Sequence, residues 1–261
     1  MLILSFDIGI KNLAYCICKY DIDNKDVSIQ EWGIINLLDD IFDKQEKCMY
    51  FGRKRCNKVA EFKNNNGKFY CKTHKKNHDK DNTKTLSSLI FKTKKQLTEY
   101  NKKHKLKKFK VEKCKDYPID KLCDIIIQKF DKDYPHFLQV DYVLLELQPV
   151  LKAPRMKTIS NYIYMYFRMN GIHYKKGDYV MKNVSYIMAT NKLKFNENNC
   201  KSDIEDYSSR KFTGIENVVE YLKIIKDNDN LILFQSHKKK DDLADALLQI
   251  LFFLQRNYNY K

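Results

Sequence analysis

Two short apolar runs in this chain each end in a carboxylate. Residues 2–7 read Leu-Ile-Leu-Ser-Phe-Asp and residues 143–147 read Val-Leu-Leu-Glu-Leu. Runs of this length between turn signals are buried strands, so their own strands carry Asp7 and Glu146 to the rim of a core. A lone charge there is costly, and it either finds a partner or stays protonated. A third acidic group, Asp241, Asp242 and Asp245, opens an apolar helical stripe, on which residues three apart share a face. Asp245 lies between Ala244 and Ala246, side chains small enough to let a ligand approach. Carboxylates drawn together from separate elements repel one another unless cations sit between them, and such oxygen-rich sites hold divalent metals. Two metals flanking a phosphate are one way to hydrolyse a phosphodiester.

The pattern around these acids predicts the architecture. Residues 2–7, 13–20 and 27–35 read as strands joined by polar turns, an antiparallel meander. Helical periodicity then appears near 86–101 and from Pro118, where Ile119, Leu122, Ile126 and Phe130 form a stripe. It continues at 154–170, 215–227 and 239–256, with strands at 140–146 and 184–189 between. Strands first, then strands alternating with helices, give an α/β chain with a mixed five-stranded sheet covered on both faces.

The net charge of +16 is unevenly spread. Residues 44–115 carry 24 Lys+Arg against 6 Asp+Glu, and the remainder carries 25 against 27. The basic character thus belongs to one internal stretch, the electrostatic footprint of a polyanion-binding module. It divides the chain into a core of 1–43 plus 116–261 and an insertion of 44–115. The insertion holds Cys48, Cys56, Cys71 and His74, a C-x7-C-x14-C-x2-H arrangement. Three cysteines and one histidine make a closed structural Zn²⁺ set, with His78 as the alternative to His74. A metal also explains how so polar a stretch folds. Arg53, Lys54 and Arg55 lie between the first two ligands and are candidate DNA contacts. Cys16, Cys18, Cys114, Cys123 and Cys200 read as ordinary thiols.

The segments Phe6-Asp7-Ile8-Gly9-Ile10-Lys11-Asn12, Leu145-Glu146-Leu147-Gln148-Pro149 and Lys240-Asp241-Asp242-Leu243-Ala244-Asp245 resemble the three acidic motifs of RuvC-like Holliday junction resolvases, the poxvirus and fungal mitochondrial groups above all. The resemblance spans the chain outside about 44–115. It implies an RNase H-like fold, a homodimer, and Mg²⁺- or Mn²⁺-dependent cutting of four-way DNA junctions by paired symmetric nicks with two ions per site. On that resemblance Asp7, Glu146, Asp242 and Asp245 are the metal ligands, and Asp241 is their neighbour at the helix start. The segment Ser208-Ser209-Arg210-Lys211, ahead of a helix at 215–227, is similar to a basic run of the relatives. This makes Lys211 the candidate active-site cation and Lys192 its competitor. Where the relatives carry Arg after the Glu, this chain has Leu147, so Lys152 or Arg155 is the candidate for that backbone contact. The relatives pair through the helix after the Glu, which nominates the face of Ile159, Tyr162, Ile163, Tyr166 and Phe167.

Three other functions fit less well. RNA-guided transposon nucleases place their zinc module between the second and third acids, whereas here it follows the first. A sugar-kinase or actin-like ATPase needs glycine-rich nucleotide loops, yet seven glycines and no second Asp-x-Gly are present, so no nucleotide cofactor is expected. A non-catalytic zinc-containing DNA-binding protein has no use for Glu146 in a strand. No apolar run approaches the length of a membrane span, and residues 1–7 show no signal or transit segment. The expectation is an intracellular protein; the Lys/Asn-rich composition and the resemblance to poxvirus motifs point to the cytoplasmic factory of a large DNA virus, with the nucleus as the alternative.

Overall fold

The computed structural model describes residues 1–42, 44–76, 93–111, 113–151, 153–175, 179–188 and 207–260, with backbone alone for 42 and 207–211. The chain divides into two compact units, Met1–Leu37 with Tyr117–Lys261, and Leu38–Asp116.

The first unit is built on five strands, β1 (Leu2–Asp7), β2 (Leu13–Asp21), β3 (Asp26–Ile35), β7 (Tyr142–Leu147) and β8 (Asn183–Met188). Their order is β3-β2-β1-β7-β8. β1 pairs antiparallel with β2, and β2 with β3; β1 and β7 are parallel, as are β7 and β8. This is the RNase H-like sheet. β1, β2 and β7 lie inside it, which is why they read as nearly unbroken apolar runs, whereas the edge strand β3 alternates.

Each face of the sheet is covered. Phe6 points to one side and packs with Phe130 of α3 (Ile119–Lys132), Phe137, and Phe167 of α4 (Pro154–Phe167), at ring-centroid distances of 5.7, 5.6 and 5.8 Å. Ile3, Ser5 and Asp7 point to the other, with Tyr142, Leu144 and Glu146 beside them, because successive strand residues alternate. That second face is covered by α7 (Lys240–Tyr258), packed against α5 (Tyr207–Ile224) and α6 (Asn228–Ser236). Trp32 closes it, stacked on Phe234 at 5.2 Å and donating from Nε1 to the Leu243 carbonyl at 3.1 Å.

Two elements differ from the sequence reading. The helix expected over 215–227 runs from Tyr207 to Ile224, so the Ser208–Lys211 stretch lies inside it and not ahead of it. Gly214 sits within the helix, where an added Cβ would lie 3.7 Å from Leu248. Helix α6, begun by Asp227 accepting from the Asn230 N–H, was missed because its apolar residues face no single direction. The helix near 86–101 is observed as α2 (Lys94–His104), with 77–92 outside the described residues.

Asp141 ties the amino ends of β1, β7 and β8 together. It is 6% exposed, accepts the Leu2 N–H at 2.8 Å and pairs with Lys182 Nζ at 2.9 Å. Burial pushes its carboxyl up, but Lys182, the Leu2 N–H and Tyr179 outweigh that and hold it below the ordinary carboxylate range. A depressed folded value contributes stability that is present above the unfolded pKa and lost as pH falls through the folded one. Asp141→Ala is therefore expected to cost about 2 kcal/mol at neutral pH. In urea titrations its deficit against wild type should shrink below the ordinary carboxylate range; a deficit independent of pH would refute this assignment.

The second unit has a small sheet ordered β5-β4-β6 from Phe69–Tyr70, Phe62–Lys63 and Lys107–Lys108, with one helical turn (α1, Asp39–Phe42) and α2. Its described buried apolar side chains are few: Leu38, Cys48, Ala60 and Cys71. Among the described residues no helix is long and apolar enough to cross a membrane.

Candidate active site and metal centre

Strand register brings the first two acids together. β1 and β7 pair in parallel as far as Phe6 opposite Leu145, so Asp7 and Glu146 are the next residues on adjacent strands, about 5 Å apart at Cα and on the same face. Both are half-buried. On the β2 side Asp7 is paired with Ala14, a fully buried residue of the core.

The third group arrives on α7. This helix runs antiparallel to β1: Leu243 meets Trp32 of the edge strand β3, level with Ser5 through the β2 pairing, while Tyr258 meets Tyr142 and Tyr20 near the amino ends of β1 and β7. Its first turn thus lies toward the carboxyl ends of β1 and β7. Ala246 and Gln249 face β1 directly, since the Ser5 hydroxyl donates to the Ala246 carbonyl and Gln249 Nε2 donates to the Phe6 carbonyl at 3.3 Å. Asp242 and Asp245 lie one turn earlier on that stripe, by i,i+3 and i,i+4 spacing. Asp241 is turned about 100° from Asp242, away from the strand. All three are half-buried. The carboxylates share one end of one sheet face, yet among the described residues their oxygens are less closely gathered than the Cys/His atoms below. The partial positive charge at the amino end of α7 eases their repulsion in part.

Ser5 and Gln249 escaped the sequence reading. Both are fully buried polar residues between β1 and α7, flanking Asp7 in the strand and following Asp245 by one turn in the helix. The Gln249 Oε1 has no hydrogen-bond partner among the described residues. A glutamine inside an otherwise apolar helix stripe, four residues after an acid, was the available signal.

Lys152 and Lys192 lie outside the described residues, and Lys211 is placed only as backbone within α5. Arg155 is half-buried and donates to the Tyr117 carbonyl, an anchor inside its own unit. The helix face nominated for pairing is core: Ile159, Ile163, Tyr166 and Phe167 are buried, because the sheet needs that stripe. Tyr162 is the exception. It joins Ile127, Met165, Met169 and Tyr174 along an apolar groove of about 460 Å³.

In the second unit, Cys48, Cys56, Cys71 and His74 place one ligand atom each within 4.8 Å of the others. His78 is outside the described residues. His74 Nδ1 is 3.5 Å from both Cys48 Sγ and Cys71 Sγ. Tetrahedral Zn²⁺, with Zn–S about 2.3 Å and Zn–N about 2.0 Å, sets an S···N spacing of about 3.5 Å, so the donor set fits zinc in kind and spacing. Burial pushes the Cys48 thiol up. At Cys71 the same burial is outweighed by hydrogen bonds from the His74 and Thr73 backbone and from Cys48 and Cys56, which hold that thiol down. Tyr50 stacks on the His74 ring at 4.1 Å and fixes its orientation. Cys16 and Cys18 lie buried in β2, and Cys114 and Cys123 are half-buried; Cys200 is outside the described residues.

Comparison with known proteins finds both sequence relatives and likenesses of shape. Residues 3–107 match the family model described as the catalytic domain of mitochondrial resolvase Ydc2 / RNA splicing MRS1. The uncharacterized protein L451 of Acanthamoeba polyphaga mimivirus is 30% identical across 98% of this chain and 75% of its own length. Looser likenesses of shape run to the fowlpox virus resolvase in complex with Holliday junction DNA (17% identity, TM-score 0.45, 98% of each chain) and to the yeast mitochondrial Holliday junction resolvase Ydc2 (17% identity, TM-score 0.49, 98% of this chain and 83% of that one). The chain belongs with the mimivirus protein L451 in one family, and its residues 3–107 resemble the catalytic domain of the Ydc2-type mitochondrial resolvases.

Proposed function

We propose that this protein is a structure-selective endodeoxyribonuclease that resolves four-way DNA junctions by paired, symmetric nicks. The observation carrying this reading is the shared end of one sheet face, where Asp7 and Glu146 stand on adjacent parallel strands and the Asp242/Asp245 turn of α7 lies over them. An all-carboxylate donor set from three elements suits Mg²⁺ or Mn²⁺.

Asp7, Glu146, Asp242 and Asp245 would hold the ions, whose chemistry there is to acidify a water and to neutralise charge on the leaving 3′ oxygen. The protein's part is to fix four acids whose mutual repulsion would otherwise spread them. β1 does so through ladders on both sides, and α7 through its polar contacts with Ser5 and Phe6. Lys211, with Lys192 as competitor, is proposed to contact the scissile phosphate, a role worth about 10²–10³ in rate for such a donor. Zn²⁺ on Cys48, Cys56, Cys71 and His74 is proposed to hold the basic insertion 44–115 together, and Arg53, Lys54 and Arg55 there are proposed DNA contacts with Lys152. A two-fold symmetric junction calls for a two-fold symmetric dimer. The groove of Ile127, Met165 and Met169 replaces the buried α4 face as the proposed pairing surface. The mimivirus relative supports genome processing in the cytoplasmic factory of a large DNA virus as the setting.

A gel assay tests the substrate class. With Mg²⁺ the protein should nick a synthetic four-way junction at least about tenfold faster than the matched duplex; equal rates on both would refute junction selectivity.

The clamp between β1 and α7 gives a second test. Gln249→Leu keeps the size of a buried side chain and removes an amide with an unmet acceptor, so thermal stability should hold or rise. Cleavage should fall by about tenfold with a raised Mg²⁺ requirement, as a small misplacement of reacting groups is that costly. Unchanged cleavage and metal requirement would remove Gln249 from the site.

A further inference from the structure

The loop between the first two cysteines presents a ring to solvent where a folded domain gains nothing by it. Cys48 and Cys56 stand at the two ends of the segment, Phe51 and Arg55 pair across it, and the Cys56 N–H donates to the Tyr50 carbonyl at 3.1 Å. Adjacent residues split in direction. Tyr50 turns inward onto His74, and Phe51 turns outward, 74% exposed. Met49 beside it is 51% exposed. Arg53, Lys54 and Arg55 are all exposed on the same short loop, which contains no acid. Other aromatics of this unit are satisfied internally: Lys75 covers Phe62 at 4.9 Å, and Lys63 covers Phe69 at 5.1 Å. Among the described residues the Phe51 ring has no stacking partner.

We infer that residues 49–55 form a rigid fingertip for an unpaired nucleotide, with Phe51 stacking on the base and Arg53, Lys54 and Arg55 holding the flanking phosphates. A flat apolar ring beside three cations complements a π-face joined to anions, and stacking accepts any base. Duplex DNA offers the phosphates but keeps its base faces covered. A fingertip tied down at both ends is ordered before binding, so contact costs little conformational entropy. The inference goes beyond the resolvase reading and rests on the zinc reading of the four ligands.

The test uses the full chain in magnesium-free buffer, with a fluorescent 20-nucleotide oligo-dT strand and a fluorescent duplex followed by anisotropy across salt. Phe51→Ala should weaken single-strand binding about tenfold and leave duplex binding within about twofold. Its slope of log K against log salt should match wild type, because a ring releases no counterions. Phe51→Trp should restore affinity. Replacing Arg53, Lys54 and Arg55 with Ala should flatten the single-strand slope by about two, at about 0.7 per phosphate. Unaltered single-strand binding by Phe51→Ala, or equal loss on strand and duplex, would overturn the proposal. So would a loss confined to vesicles of phosphatidylserine, which would mark the ring as a lipid contact. Zinc content, measured on every variant, separates failure of the metal reading from failure of the fingertip. Junction nicking, measured apart, reports on the resolvase reading alone.

Discussion

Asp7→Asn is expected to lower cleavage of a four-way junction by at least about a thousandfold, a barrier change of about 4 kcal/mol, while junction binding and the fold survive. Asn keeps the shape of the side chain and removes the charge that would hold a divalent cation. Asp7 ends a strand hydrogen-bonded on both sides, so its backbone position does not depend on the carboxylate. With four acids sharing one end of the sheet face, losing one charge also relieves repulsion. The metal-free variant should therefore melt at or above the wild-type temperature, and Mg²⁺ should stabilise it less. Single-turnover cleavage with thermal melts in and out of Mg²⁺ would check this. A variant that cleaves within tenfold of wild type removes Asp7 from the chemistry; one that melts far lower makes it structural.

Cys71→Ser is expected to empty the zinc site and unfold the second unit while the first keeps its own transition. Zinc on a closed cysteine/histidine set contributes apparent folding energy of about 10 kcal/mol or more. Little else holds residues 38–116: two of the described buried apolar side chains are the ligands Cys48 and Cys71, beside Leu38 and Ala60. The first unit has a large separate core around α7 and the five-stranded sheet. Metal analysis should fall from one zinc per chain to none, and limited proteolysis should open the basic segment first. The salt slope of DNA binding should drop with it. Intact protease resistance of residues 38–116 without zinc would contradict a structural metal.

The sheet was legible because burial leaves a plain trace. β1, β2 and β7 are covered on both faces and are written as apolar runs, and the stripe of Leu122, Ile126 and Phe130 declares its helix. What escaped depended on contacts far apart in sequence. Asn228–Ser236 is held by Phe234 on Trp32, a partner more than two hundred residues away that no local periodicity records. The apolar face of α4 carries the same residues whether it meets a sheet or a second copy, and here it meets the sheet. Asp7 and Glu146 were recognisable from their strands, but that they share a face came from the register of β1 and β7. Ser5 and Gln249 were invisible for the opposite reason: a single polar residue in an apolar run is uninformative until its acceptor is known. The Cys/His spacing nominated a metal site, and the structure gathers Cys48, Cys56, Cys71 and His74 at distances that suit zinc.

Mapping the cuts shows whether these acids cleave branched DNA. A synthetic four-way junction, labelled in turn on each strand, is incubated with the protein and Mg²⁺ and the products are sized. Nicks are expected on two opposing strands at positions related by the junction's two-fold axis, absent with Asp7→Asn. Nicks scattered over all four strands, or no cleavage by wild-type protein that binds the junction and carries its zinc, would contradict the resolvase reading.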